Sequence, residues 1–361
     1  MHSDFGWRRV IHLHIRKREQ RRTAMAQGGR TKGKSTLGRR GFMKATAAMG
    51  GAFILGNPMS IWAQAQKRIS IATGGMGGVY YPMGGGIAAV ISKYVPNVEA
   101  AAEVTAASVD NCKLVAAKKS DLAIIMGDVG YDAWAGTGKF KEKLPIVNLA
   151  VLYPNVTQLV AREGKGIKQV SDLKGKTIST GAPGSGVEII ALRILEANGI
   201  DPDKDIKRDR LGASESAGAV KDGKMDAYFW CGGVPTASIL DLAASPGMKI
   251  SLISDADAVP KMTAKYGPVY YKITIPKGTY PGVEQDVAVS AVANLLIAHE
   301  AMDDKLVYDI LAAIFDHKPE LVAIHKQAES IDLKSAVVGS PVPFHKGAIK
   351  YFKDKGLDIK T

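Results

Sequence analysis

Apolar positions along this chain follow two alternating rhythms. Short apolar runs bounded by glycine, proline or polar clusters lie near residues 69–73, 100–105, 122–126, 147–153 and 159–162, and again near 177–179, 227–230, 250–253 and 269–275. Their length and boundaries predict strands. Between most of them the apolar spacing changes to three and four residues. Ile87, Val90, Ile91, Tyr94 and Val95 make one helical stripe, and Val187, Ile190, Ala191, Ile194 and Leu195 make another. Such alternation predicts an α/β fold with largely parallel sheets. From about Val287 the pattern reads as mostly helical. Val289, Val292, Ala293 and Leu296 form one stripe there; Leu306, Ile310, Leu311 and Ile314 form a second.

Two strand-to-helix junctions share a design. Residues 74–86 begin Gly74-Gly75-Met76-Gly77-Gly78-Val79-Tyr80-Tyr81, and residues 177–186 end Gly181-Ala182-Pro183-Gly184-Ser185-Gly186. Glycine lets backbone approach a ligand closely, and a helix start offers N–H groups to an anion. Each junction has a later partner run, from Asp121 and from Asp226, at matched separations of 47 residues from Gly74 and 45 from Gly181. Two similar lobes are therefore expected. The extended, proline-bearing stretches 152–159 and 270–279 are the candidate crossings between them. That assigns 66–155 plus 273–361 to lobe 1 and 156–272 to lobe 2.

Composition alters this picture at one end. The formal charge of the 361 residues is +13, but residues 1–65 hold 13 Lys/Arg against 2 Asp/Glu, leaving 35 against 33 in the rest. The nearly neutral body argues against a nucleic-acid partner. The basic segment carries a twin-arginine pattern around Arg39-Arg40, an apolar run over 45–55, and small residues before Gln66. It reads as an export signal cleaved after Ala65, with residues 1–24 as a mis-assigned start ahead of Met25. Periplasmic placement follows. No later run is long enough to span a bilayer. Cys112 and Cys231 read as two buried thiols rather than a disulfide. No metal-ligand spacing, dinucleotide fingerprint, phosphate loop or G-x-S-x-G elbow is present, so no metal, cofactor or catalytic residue is expected.

Candidate ligand-binding residues follow from strand ends and helix starts. Gly74, Gly77 and Gly78 form the first loop; Pro183, Gly184, Ser185 and Gly186 form the second. Ser185 either meets a carboxylate or only caps its helix. Ser108 suits a cap and Asn111 a ligand contact. Asp128 and Tyr131 follow one strand end, and Trp230 and Thr236 the matching end in the second lobe, where open α/β sheets bind ligands. Arg162 is an outside candidate for a clamp, and Arg193 reads as a surface ion pair near Glu196.

Five blocks carry a family resemblance. Residues 72–85, Ala-Thr-Gly-Gly-Met-Gly-Gly-Val-Tyr-Tyr-Pro-Met-Gly-Gly, resemble the motif of the TAXI family, solute receptors of tripartite ATP-independent periplasmic (TRAP) transporters. Blocks 104–111, 127–133, 173–186 and 276–282 are similar to that family in the same order. The resemblance runs from about residue 68 to the C-terminus. It implies a type II periplasmic binding fold with hinge strands, a ligand cleft and a helical C-terminal segment, and it places Tyr80 in the cleft. It further implies a small organic solute, a carboxylate or amino acid such as glutamate, glutamine or 2-oxoglutarate, delivered by a monomer to a TRAP permease. This chain departs from the family where Gly75 and Met76 replace a Ser-Thr pair and where Ala106-Ala107 replaces glycines. A twin-arginine-exported enzyme or a ligand sensor on the same fold stays open as the alternative.

Overall fold

A computed structural model describes residues 66–359; the expected export signal lies outside them. Ten strands occupy Lys67–Ala72 (β1), Val98–Glu103 (β2), Leu122–Met126 (β3), Ile146–Arg162 (β4), Thr177–Ser179 (β5), Lys207–Asp209 (β6), Ala227–Gly232 (β7), Ile250–Ile253 (β8), Tyr271–Ile275 (β9) and Val287–His299 (β10). The helices are Tyr80–Tyr94 (α1), Ser108–Ala116 (α2), Gly127–Ala135 (α3), Gly186–Ala197 (α4), Ala213–Lys221 (α5), Ala237–Ala243 (α6), Val259–Tyr266 (α7), Asp304–Asp316 (α8), Lys318–Ile324 (α9) and Lys346–Asp354 (α10). Among the described residues no helix is long and apolar enough to cross a membrane.

The strands hydrogen-bond in the order β2-β1-β3-β10-β4-β7-β5-β6, with β8 on β4 and β9 on β10. Two lobes result. One is built on β2-β1-β3 and the other on β7-β5-β6, and the long strands β4 and β10 run through both. β4 pairs with β10 up to Val156, then with β7 from Val156 to Ala161. β10 pairs with β9 over Val287–Ala291 before it meets β3 and β4. Pro154 lies just before β4 changes partner, a place where a strand tolerates a residue without an N–H donor.

The α1 stripe behaves as its spacing predicts. Ile87, Val90 and Ile91 are buried under that helix, each stabilising the fold by about 1.5–3 kcal/mol. With Leu306, Ile310 and Leu311 of α8 and Tyr351 of α10 they cover one face of the first lobe. Val220, Tyr228, Ile239 and Leu252 form the corresponding core of the second. A third core joins Val109, Ile125 and Val129 to Leu159, Ile190 and Phe229, across both lobes. Cys112 and Cys231 are buried free thiols.

Four expectations change. The sheet is mixed: pairing is parallel for β1 with β2 and β3 and for β5 with β6 and β7, but antiparallel wherever β4 or β10 takes part. Residues 289–296 are strand, not helix, because β10 is buried on both faces from Val289 to Ala298. An unbroken apolar run contains helical spacings by accident, and periodicity cannot arbitrate it. Residues 147–153 and 159–162 fuse into one strand, β4. The stretch 270–279 contains β9, which stays on β10, so the chain returns between lobes within β10 itself.

Candidate functional site

Where the lobes face each other lies a cavity of about 370 Å³. Four helix starts meet there: Val79 and Tyr80 of α1, Ala107 and Ser108 of α2, Ser185 to Val187 of α4, and Gly212 to Glu215 of α5. Met76, Met126 and Trp230 supply apolar wall, with Asn155 of β4 also in the lining. Glu215 is the charged side chain of the lining, which holds no Lys, Arg or His.

Of the residues singled out from sequence, Gly74, Gly77, Gly78, Tyr80, Ser108, Ser185, Gly186 and Trp230 line this cavity. Tyr80 and Tyr81 are the first two residues of α1. The buried Tyr80 hydroxyl donates to Asn294 Oδ1 at 2.5 Å and accepts from Asn155 Nδ2 at 3.0 Å. Burial holds its pKa well above the ordinary phenol value, so it stays a neutral donor. Ser185 caps α4: its Oγ accepts from the Glu188 N–H at 3.1 Å and donates to the Ala182 carbonyl at 2.6 Å. Its hydroxyl proton is therefore not free for a solute. Ser108 is the first helical residue rather than the cap, and its Oγ accepts from the Met126 N–H at 3.0 Å.

Six others do not line it. Asn111 is fully buried and ties loops together, its Nδ2 donating to the Thr73 and Ile124 carbonyls at 2.7 and 2.9 Å. Thr236 Oγ1 accepts from Trp230 Nε1 at 3.2 Å and so orients the wall indole instead of meeting the cavity. Pro183 is exposed on its turn. The Gly184 carbonyl accepts from the Val109 and Asp110 N–H groups at 3.1 and 3.4 Å, so a loop of the second lobe occupies the first donors of α2. Tyr131 sits beside Gly267, and Asp128 is buried in an ion cluster.

That cluster corrects the reading of Arg193. It is 7 % exposed, and it reaches from α4 across to α3. Its Nη1 lies 3.5 Å from Asp128 Oδ2, its Nη2 pairs with Asp132, and Nη1 donates to the Tyr270 hydroxyl at 2.5 Å. Glu196 pairs with Lys265 instead. Arg162 donates to the Val220 carbonyl at 3.5 Å and takes no part in the cavity.

The glycines of the loops serve a further purpose. A Cβ on Gly78 would stand 2.7 Å from the Trp230 ring, and one on Gly77 would collide with Ser214. A Cβ on Gly186 would strike Met126. Each collision is between lobes, so these glycines let the two halves approach.

Sequence reasoning missed Asn155, Asn294, Met126 and the start of α5. The side chains of Asn155 in β4 and Asn294 in β10 meet diagonally across the strand pair, with Asn155 Nδ2 donating to Asn294 Oδ1 at 2.7 Å. Asn155 Oδ1 and Asn294 Nδ2 have no partner. Amide side chains within the apolar strands were the available clue, Asn148, Asn155 and Gln158 in β4 and Asn294 in β10, since a buried polar side chain without purpose is costly.

Two lobes sharing two long strands, with a cavity between them, define the fold of the periplasmic solute-binding proteins. The chain belongs to the NMT1-like family, whose model matches residues 71–356. Among solved structures it is similar to MatC (Rpa3494) from Rhodopseudomonas palustris with bound malate, at 15% identity over 80% of this chain and 97% of that one, with a TM-score of 0.52. It is also similar to the periplasmic aliphatic sulphonate binding protein SsuA from Escherichia coli, at 15% identity over 80% and 83% of the two chains and a TM-score of 0.43. A third is the binding protein component of an ABC phosphonate transporter from Pseudomonas aeruginosa, at 12% identity over 74% and 80% and a TM-score of 0.48.

Proposed function

We propose that this protein is an extracytoplasmic solute receptor of the TAXI type. It binds a small carboxylate between its lobes and delivers it to a TRAP membrane permease. The observation that carries this reading is the cavity itself: both lobes line it, and helix starts from each lobe converge on it. A solute touching both lobes favours the closed arrangement over an open one by that difference in contact. The motif blocks at 72–85 and 173–186 support the TAXI assignment, because they supply two of those helix starts. The twin-arginine segment supports export to the periplasm. Strand pairing changes at Val156 in β4 and at Ala291 in β10, and Asn155 beside the first lines the cavity, which supports a hinge next to the solute.

A thermal-shift screen of the chain beginning at residue 66, against amino acids and small carboxylates, tests the proposal. A solute that binds the folded state raises the melting temperature with concentration. Mass spectrometry of solute retained through purification gives a second readout. Turnover of a hit would instead identify an enzyme.

A further inference from the structure

Among the described residues, seven carry a buried side-chain nitrogen or oxygen with no hydrogen-bond partner. Asn155 alone of the seven lines the cavity, and it is 1% exposed. Its free atom is Oδ1, an acceptor. Its Nδ2 is fully engaged, donating to the Tyr80 hydroxyl at 3.0 Å and to Asn294 Oδ1 at 2.7 Å. Tyr80 cannot supply the missing bond, because its one hydroxyl proton goes to Asn294 Oδ1. A buried acceptor left unpaired beside a solute cavity costs stability that a bound donor would return.

The rest of the lining has the opposite character. Backbone N–H groups at residues 74–77, 79 and 80, and at the first turns of α4 and α5, line the cavity ahead of any intrahelical bond. Such groups hold the anionic part of a solute. A carboxylate turned to Asn155 instead would set acceptor against acceptor and leave those donors unused. Three hydroxyl oxygens of the lining already accept a backbone N–H: Ser108 from Met126, Ser185 from Glu188 and Thr105 from Ala107. Ser214 and Glu215 are exposed. We infer that Asn155 sets which solutes the cavity accepts. Its Oδ1 takes a hydrogen bond from an O–H or N–H group of the solute, so an acid bearing a hydroxyl or amino group is bound in preference to the oxo acid of the same skeleton. A carbonyl in place of that donor leaves Oδ1 unpaired and facing a second acceptor. Sites built to bond an O–H or N–H group reject the analogue lacking it far more strongly than an apolar pocket rejects a changed methylene. This inference rests on the receptor reading. It narrows the solutes that the family resemblance implies, turning away from 2-oxoglutarate.

The test is calorimetric titration with three matched sets of hydroxy, amino and oxo acid. They are lactate, alanine and pyruvate; 2-hydroxyglutarate, glutamate and 2-oxoglutarate; and 2-hydroxy-4-methylpentanoate, leucine and 4-methyl-2-oxopentanoate. In every set that binds, the hydroxy or the amino acid should bind about tenfold or more tighter than the oxo acid. Which of the two is tighter tells whether the donor is a hydroxyl or an ammonium group. Asn155→Ala removes the acceptor and leaves the Tyr80 bond to Asn294 in place. In that variant the gap should shrink to within about threefold, through weaker binding of the donor-bearing acid. Circular dichroism and a thermal melt check its fold, and the comparison in the parent protein decides the question if the variant does not fold. Equal or tighter binding of the oxo acid in the parent overturns the inference while leaving the receptor reading intact. An unchanged gap in a folded Asn155→Ala overturns the assignment to Asn155. Binding of none of the nine acids withdraws the carboxylate reading and the inference with it.

Discussion

Arg193→Met would remove the cation from the buried cluster between the lobes while keeping most of the side-chain volume. Asp128 and Asp132 are 0% and 5% exposed, so water cannot replace the guanidinium. Burial pushes the Asp128 carboxyl up to about 6, opposed by Arg193 and reinforced by Asp132. An unfolded aspartate titrates near 3.9. The folded pKa is thus raised, and the folded state binds more protons between those two values. Stability from this group is full below about pH 4 and is lost as pH rises through about 6. Taking Arg193 away raises the Asp128 pKa further, so the loss extends to higher pH in the variant than in the parent. Breaking a buried pair costs about 3–5 kcal/mol. We expect a loss of about 4 kcal/mol at pH 8. At pH 5, where Asp128 is mostly protonated in the parent already, the loss should be about half that. Urea unfolding at both pH values measures it. Because the cluster joins α3 of one lobe to α4 of the other, small-angle scattering should also show a larger radius of gyration for the unliganded variant. A loss below 1 kcal/mol at pH 8, or one equal at the two pH values, refutes the reasoning.

Three further outcomes are expected. Gly78→Ala places a methyl 2.7 Å from the Trp230 ring only when the lobes are together. Overpacking of this kind costs about 1–3 kcal/mol, so solute affinity should fall between fivefold and about 150-fold with unfolding stability nearly unchanged. Ser185→Ala removes the cap of α4 and should lower stability by about 1 kcal/mol, and solute affinity measured by titration should stay within twofold because the hydroxyl proton is already committed to Ala182. Asp255 is pushed up to about 6 by burial, against hydrogen bonds from Ser290. Its contribution therefore also declines as pH rises from about 4 to about 6, and Asp255→Asn should flatten the stability profile over that window in a pH series of thermal melts.

The sequence made some of this legible and hid the rest for definite reasons. The α1 stripe was readable because that helix buries one face and leaves Ala89, Ser92 and Lys93 to solvent, whereas α4 is buried nearly all round, with Glu196 as its exposed residue. β10 was misread because it has no solvent face, and a strand without alternation resembles a helix core. Residues of both glycine loops line the cavity, yet the close approaches of Gly77, Gly78 and Gly186 to Ser214, Trp230 and Met126 are to residues remote in sequence. Arg193 looked like a surface residue because Glu196 is three positions away. Its partners Asp128 and Asp132 belong to the other lobe, and no local spacing could have revealed them.

Asn155 connects the cavity to the hinge. It stands in β4 at the point where pairing passes from β10 to β7, and its side chain bonds Asn294, two residues along β10 from its register partner Val292. The Tyr80 hydroxyl bridges the two amides from the start of α1. One network therefore touches the glycine loop, both crossing strands and the cavity lining. Rotation of the lobes about β4 and β10 must shift these three side chains relative to one another, because they sit on the elements that bend. Their two unpartnered amide atoms, Asn155 Oδ1 and Asn294 Nδ2, carry a desolvation cost of about 1–3 kcal/mol each in the closed, solute-free arrangement. A solute or water that satisfied either atom would remove part of that cost only when the lobes are closed. That difference is the form of coupling a receptor needs, since a solute contact that was equally good in both arrangements would move neither lobe.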